Sequence, residues 1–228
     1  MENLEKVFKD KRVLVTGHTG FKGSWLTLWL VRLGAKVIGL SDDVPTTPSN
    51  FEVNNISKII EDNRVDIRNY DLVSNIVNSA NPDFVFHLAA QSLVRESYDQ
   101  PLKTFEINAM GTANILEALI GRDKKVTVVM ITSDKAYDNV EWVWGYKETD
   151  RLGGKDPYSA SKGMAELVIK TYFESYIKDK TDKITLGIAR AGNVIGGGDW
   201  AKDRIVPDCI KSWSINQSVK IRNPNSTR

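Results

Sequence analysis

Thr16-Gly17-His18-Thr19-Gly20-Phe21-Lys22-Gly23 closes a short apolar run, Arg12–Thr16, and opens a helical stretch that lasts to Leu33, where Gly34 is a helix stop. In this G-x-x-G-x-x-G spacing Gly17 permits a tight turn and Gly20 lets a phosphate-bearing ligand approach the backbone. Gly23 lets the helix pack closely against the strand before it. The free N–H groups and partial positive charge at the helix start would receive the phosphates. Gly17, Thr19, Gly20, Phe21, Lys22 and Gly23 are therefore expected at a dinucleotide. The competing reading, three glycines in a surface loop, is disfavoured by the turn's place between strand and helix.

The rest of the chain repeats that alternation. Lys36–Leu40 reads as a second strand, followed by a polar loop from Ser41 to Asn50 in which Pro45 and Pro48 exclude regular structure. Arg64–Ile67 reads as a third strand, Asp71–Ala80 as a helix and Asp83–Leu88 as a continuous apolar strand of the kind covered on both faces. Thr104–Ile120 is a long helix, Lys125–Thr132 a buried strand, Tyr158–Ile177 another long helix and Ile184–Ala189 a sixth strand. Strands alternating with helices imply an α/β, doubly wound parallel sheet with right-handed crossovers, a Rossmann-like fold. Such sheets bind ligands beyond the carboxyl ends of their strands.

With 228 residues, 41% hydrophobic and 26% charged, the chain has an ordinary globular composition, and its formal charge of +2 predicts neither nucleic-acid nor membrane binding through bulk charge. The single Cys209 has no partner for a disulfide or a thiolate metal site, so no metal is expected. Met1 to Asp10 lacks the apolar core of a secretory signal, and Trp25 to Val31 is too short to span a bilayer. These features read as a cytoplasmic protein.

The end of the second strand holds Ser41, with Asp42 and Asp43 immediately after, and no Arg lies beside them in the chain. Two carboxylates would repel the extra phosphate of NADP and accept the ribose hydroxyls of NAD, which favours NAD and singles out Asp42. Asp66 and Ile67 lie where an adenine amino group could be met, though Asp66 could equally cap a turn. Leu88, Ala89 and Ala90 follow the fourth strand and would let a cofactor approach, or pack closely for its own sake. Asn108 reads as a polar residue that holds local backbone. Trp25 and Trp29, four apart on the first helix, read as core.

Tyr158-Ser159-Ala160-Ser161-Lys162 puts a phenol and an ammonium on one face of a helix. A nearby ammonium lowers the pKa of a phenol and makes it a usable base, so Tyr158 and Lys162 are expected at both cofactor and chemistry. After the fifth strand come Ser133-Asp134-Lys135. Ser133 could hydrogen-bond a sugar oxygen and Asp134 could act as a general acid, or both could cap the next element.

Together these motifs resemble the extended short-chain dehydrogenase/reductase family. Further stretches narrow the likeness: GHTGFKGSWL at 17–26, HLAAQSLVR at 87–95, TSDKAYDN at 132–139, WGY at 144–146 and RAGNVIGGGDWAKDR at 190–204. This combination is similar to CDP-glucose 4,6-dehydratases over nearly the whole chain. The resemblance implies an NAD-dependent internal redox cycle that removes water from a nucleotide-linked hexose. Tyr158 would remove the 4-hydroxyl proton, Asp134 would protonate the departing 6-hydroxyl, and Lys135 would stand where relatives carry the Glu that removes the C5 proton, or merely orient other groups.

The resemblance also implies substrate contacts from Gln91, Ser133, Asn193, Lys202 and Arg204, the last two or Arg190 being alternatively structural ion-pair partners. A homodimer through the two long helices is expected by analogy. Residues 1–190 would form the NAD-binding domain and 191–228 the start of a substrate-binding region, the chain stopping at 221–228 inside a family-like segment. A 4-epimerase or a dehydratase of another nucleotide sugar, and a non-catalytic NAD-binding module, are the competing readings. The first needs neither Asp134 nor Lys135, and the second would leave the Tyr158–Lys162 pair broken.

Overall fold

The computed structural model describes residues 2–180, 182–221 and 224; the terminal segment expected to break off inside a family-like stretch otherwise lies outside them. In chain order the elements are α1 (Glu2–Phe8), β1 (Arg12–Thr16), α2 (Phe21–Arg32), β2 (Lys36–Ser41), α3 (Asn50–Val53), a 3-10 turn (Ile56–Lys58), β3 (Glu61–Arg64) and α4 (Tyr70–Ala80). There follow β4 (Phe84–His87), α5 (Val94–Asp99), α6 (Pro101–Phe105), a π-turn (Glu106–Met110), α7 (Gly111–Leu119), β5 (Val126–Ser133), α8 (Pro157–Tyr172), a second π-turn (Phe173–Ile177), β6 (Ile184–Ala191) and α9 (Ile205–Ser214). The strands pair in parallel in the order β3-β2-β1-β4-β5-β6. This is the doubly wound sheet that the alternation implied.

Period-two alternation in the strands feeds two cores. Leu14, Ile38, Val85 and Val128 enter one, closed by Val73 and Val77 of α4, Ile115 and Leu119 of α7, and Ile169 of α8. Val13, Val15 and Val37 enter the other, closed by Leu30 of α2 with Phe8 and Leu26 packed on it. No helix among the described residues is long and apolar enough to cross a membrane.

Two expectations need correction. The third strand is Glu61–Arg64 and not Arg64–Ile67. It is an edge strand, so its ladder is formed by a polar run, while Ile67 drops into the core after the strand ends. Trp25 and Trp29 are 51% and 48% exposed. The face that α2 buries carries Gly23, Ser24, Thr27 and Leu30, because close approach to the sheet requires small residues, and the indoles are left on the outer face. At the other edge β6 is open, with Gly187, Ile188 and Ala189 exposed.

Candidate active site

The parallel pairing puts the carboxyl ends of β1, β2, β4, β5 and β6 along one edge of the sheet, where the glycine turn leaves β1. Gly17 takes φ +73°, and a Cβ there would lie 2.7 Å from the Ala89 nitrogen; a Cβ on Gly23 would lie 2.0 Å from the Gly17 oxygen. Only glycine permits this packing. At Gly20 the nearest obstacle is the Gly17 oxygen at 3.3 Å, and no side chain caps the N-terminus of α2. The result is a bare backbone cradle at a helix start, bounded by Leu88 and Ala89, whose N–H groups both donate to Thr16 Oγ1 at 3.1 Å.

The β2 side of that cradle is more heavily wired than the sequence suggested. Thr19 Oγ1 donates to the Asp43 carbonyl at 2.6 Å, which fixes the loop after β2, while Asp42 stays exposed. His18, which sequence reasoning passed over, is fully buried between Ser41 Oγ (3.0 Å) and Asp62 Oδ1 (2.7 Å). Burial lowers its pKa, and Asp62 opposes the shift. Arg64 is the register partner of Ser41, so although no Arg lies beside the end of β2 in the chain, one stands there in space. Its guanidinium is taken up by Asp62 at 3.0 Å and by the Phe51 ring at 4.8 Å. Asp66 lies two residues past β3 and is paired with Arg68 at 2.6 Å, which holds its carboxyl below the usual range. The Ile67 side chain belongs to the core against Gly111.

At the head of α8, Tyr158 is 8% and Lys162 7% exposed, with the ammonium 6.0 Å from the phenol ring centroid. Burial pushes Lys162 down to about 8; the neighbouring Lys22 cation adds to the shift and Glu166 opposes it. Lys22 is itself lowered, by burial and then by Arg204, against the pull of Asp134. These charges therefore share one electrostatic neighbourhood. Ser133 Oγ meets Asp134 Oδ1 at 3.0 Å and accepts from the Lys135 N–H at 3.2 Å. Ser133 is thus also a cap, as the alternative reading allowed.

The first π-turn places Asn108 between the site's walls. Its amide accepts from the Gln91 N–H at 2.9 Å and donates to the Gln91 carbonyl at 3.0 Å and to Ser161 Oγ at 2.7 Å, which fulfils the expected backbone-holding role. Gln91 donates to the Leu93 carbonyl and Thr104 Oγ1, each at 3.0 Å, and accepts from the Leu93 N–H. Both amide hydrogens expected for substrate therefore hold the loop after β4. Arg190 is the structural ion-pair partner: it forks onto buried Glu166, whose carboxylate also accepts from Thr132 Oγ1 at 2.7 Å, and it stacks over Tyr137 at 4.5 Å. Arg204 pairs with Asp199 at 2.8 Å and reaches Ser92 Oγ at 3.4 Å. Asn193 and Lys202 are exposed on the segment after β6. Among the described residues no group of three His, Cys, Asp or Glu could hold a metal ion.

A sequence model of the family described as GDP-mannose 4,6 dehydratase matches residues 14–185. The chain is 51% identical over 224 residues to the CDP-glucose 4,6-dehydratase of Salmonella typhimurium, covering 97% of this chain and 62% of that protein. It is 31% identical over 178 residues to the GDP-mannose 4,6-dehydratase of Vibrio cholerae, covering 73% of this chain and 46% of that one. The chain thus spans about half to two thirds of the relatives it matches. Among solved structures it resembles the UDP-glucose 4-epimerase of Thermus thermophilus in complex with NAD, with TM-score 0.71, 30% identity and coverage of 84% of this chain and 58% of that one. It shares the fold of the UDP-glucuronic acid 4-epimerase of Bacillus cereus, with TM-score 0.76, 24% identity and coverage of 91% and 64%.

Proposed function

The chain belongs to the GDP-mannose 4,6-dehydratase family, and on that premise we propose that it serves an NAD-dependent dehydratase of a nucleotide-linked hexose, with CDP-glucose as substrate. The observation that carries this reading is the convergence of Tyr158 and buried Lys162 with Ser133, Asp134 and Lys135 beside the glycine cradle. An epimerase has no use for the added acid and base at 134 and 135.

The cradle fits a dinucleotide diphosphate: Gly17 and Gly23 have no room for a Cβ, and the uncapped start of α2 supplies N–H donors. Gly17, Thr19, Gly20, Phe21, Lys22 and Gly23 would hold it, with Leu88, Ala89 and Ala90 on its other side and Asp42 and Asp66 toward the adenosine. NAD, when bound, supplies reversible hydride transfer. Lys162 steadies the Tyr158 phenolate, which takes the proton of the sugar 4-hydroxyl and becomes the neutral phenol. Ser133 holds the same hydroxyl in place. Lys135 removes the C5 proton made acidic by the adjacent ketone, and Asp134 donates a proton to the departing 6-hydroxyl. The balance is loss of one water.

In this reading residues 1–190 carry the cofactor half, and residues from 191 onward begin the substrate-facing part, where Asn193, Lys202 and Arg204 approach the diphosphate. Gln91 acts by keeping the β4 loop in place. The long helices present Leu102, Met110, Met164 and Leu167 to solvent at 75%, 57%, 42% and 55%, apolar faces suited to a homodimer. A single cysteine suits the cytoplasm.

Product formation from CDP-glucose, with dTDP-glucose and GDP-mannose in parallel and NAD added, tests the reading. A 4-keto-6-deoxy sugar from CDP-glucose alone supports it. Product from another nucleotide sugar instead overturns the substrate assignment.

A further inference from the structure

The segment that leaves β6 runs to the glycine turn with little slack. Ala191 ends β6, which is three strand positions from β1, about 14 Å across the sheet. Gly197 follows six residues later, and six residues reach about 20 Å at full extension. Yet the Gly197 carbonyl accepts the indole N–H of Trp25 on α2 at 2.8 Å. A Cβ on Gly196 would lie 3.1 Å from the Phe21 ring, and Gly198, at φ +79°, abuts Asn50 so closely that a Cβ would lie 2.8 Å from that residue's own. A chain this taut cannot detour around the carboxyl edge of the sheet. It crosses that edge.

Below the crossing lies a cavity of about 360 Å³ lined by Phe21, Lys22, Trp25, Val194, Ile195, Gly196 and Gly197. A dinucleotide that reaches from the β2 side to the β5 side of the cradle must pass beneath. We propose that residues 194–198 are a strap across the cofactor cleft and that Trp25 is its latch, controlling entry and exit of the dinucleotide. This rests on the NAD-binding reading above.

The latch explains an indole that packs in neither core. Trp25 stands one turn into α2, beside the N–H groups of the cradle, and its ring N–H is used on the strap. Asn50 anchors the far end against Gly198 on the adenosine side, so the strap is held at two points. The latch bond joins protein to protein and touches no cofactor atom. Breaking it therefore speeds passage in both directions without favouring either.

Stopped-flow fluorescence with NADH tests this. Trp25→Phe keeps the ring and removes the N–H, and both the association and dissociation rate constants should rise by the same factor, about two- to tenfold for one hydrogen bond, with Kd little changed. Gly198→Ala, strained at positive φ and pressed on Asn50, should shift both rates in the same direction. Trp29→Phe, one turn further on and with no indole hydrogen bond among the described residues, should match the parent. Unchanged rates in Trp25→Phe, or a rise in dissociation alone with Kd rising in proportion, would overturn the latch. A parent chain that binds no NADH overturns the cofactor reading along with it, whereas binding with unaltered variant rates removes only the strap.

Discussion

His87 Nδ1 lies 2.8 Å from Thr16 Oγ1, and its Nε2 lies 3.0 Å from Thr112 Oγ1, so one buried ring ties the end of β1, where the glycine turn starts, to the first turn of α7. Thr112 gives its only hydroxyl proton to the Asn108 carbonyl at 2.7 Å. Nε2 must therefore donate, and in the neutral ring that burial favours Nδ1 accepts. The Thr16 oxygen is then free to accept both the Leu88 and Ala89 N–H groups.

Burial, with Lys162 adding, lowers His87 to about 3 from an ordinary 6.5. Between those values the unfolded chain binds a proton that the fold refuses, so stability falls as pH drops, by about 1.4 kcal/mol per unit. His87→Gln should flatten the acid side of a urea-unfolding profile by one proton. An unchanged slope would mean that the ring takes up a proton in the folded state.

Lys162 gives the opposite pH signature in catalysis. Its ammonium supports Tyr158, and with its pKa lowered to about 8 turnover should decline as pH rises through that value. Lys22→Met removes the like charge that helps to depress Lys162, so at saturating NAD the alkaline limb should move to higher pH. A limb that stays put would assign it to another group.

Tyr158→Phe should lower turnover by about 10²–10⁴-fold while NADH still binds. Near-parental turnover would remove Tyr158 from the role of base.

Asp134→Asn should block loss of water yet allow oxidation of the sugar, seen as transient absorbance of reduced cofactor. If no absorbance forms, Asp134 holds structure instead of donating a proton.

Glu166, 2% exposed, depends on Arg190. Arg190→Met should cost about 3–5 kcal/mol by stranding that carboxylate, and Glu166→Gln added to it should restore most of the loss. Equal instability in the single and double variants would place the effect in packing over Tyr137.

What the sequence revealed was local. β1 was read at its observed bounds, and β5 to within one residue at each end, because a buried parallel strand is a continuous apolar run. The glycine turn and Tyr158–Lys162 were legible because the chemistry lies within a few residues of chain. β3 was misplaced because an edge strand need not be apolar, and Trp25 was misread because helix–sheet contact selected small residues over large ones. The links that organise the site, His18 to Asp62, His87 to Thr112, Glu166 to Arg190 and Trp25 to Gly197, join residues 24 to 172 positions apart. No periodicity announces a partner at that separation.

The π-turn at Glu106–Met110 makes this helix sensitive to its own length. A widened turn holds one more residue than regular winding, and deleting one residue there would restore the α-helical ladder. Everything beyond would then rotate by about 100° and shift by about 1.5 Å, so Asn108 could no longer face Gln91 and Ser161 while Thr112 faces His87. A single-codon deletion that most surface loops would absorb would here uncouple two walls of the cleft, and no substitution elsewhere in the helix could put the missing arc back.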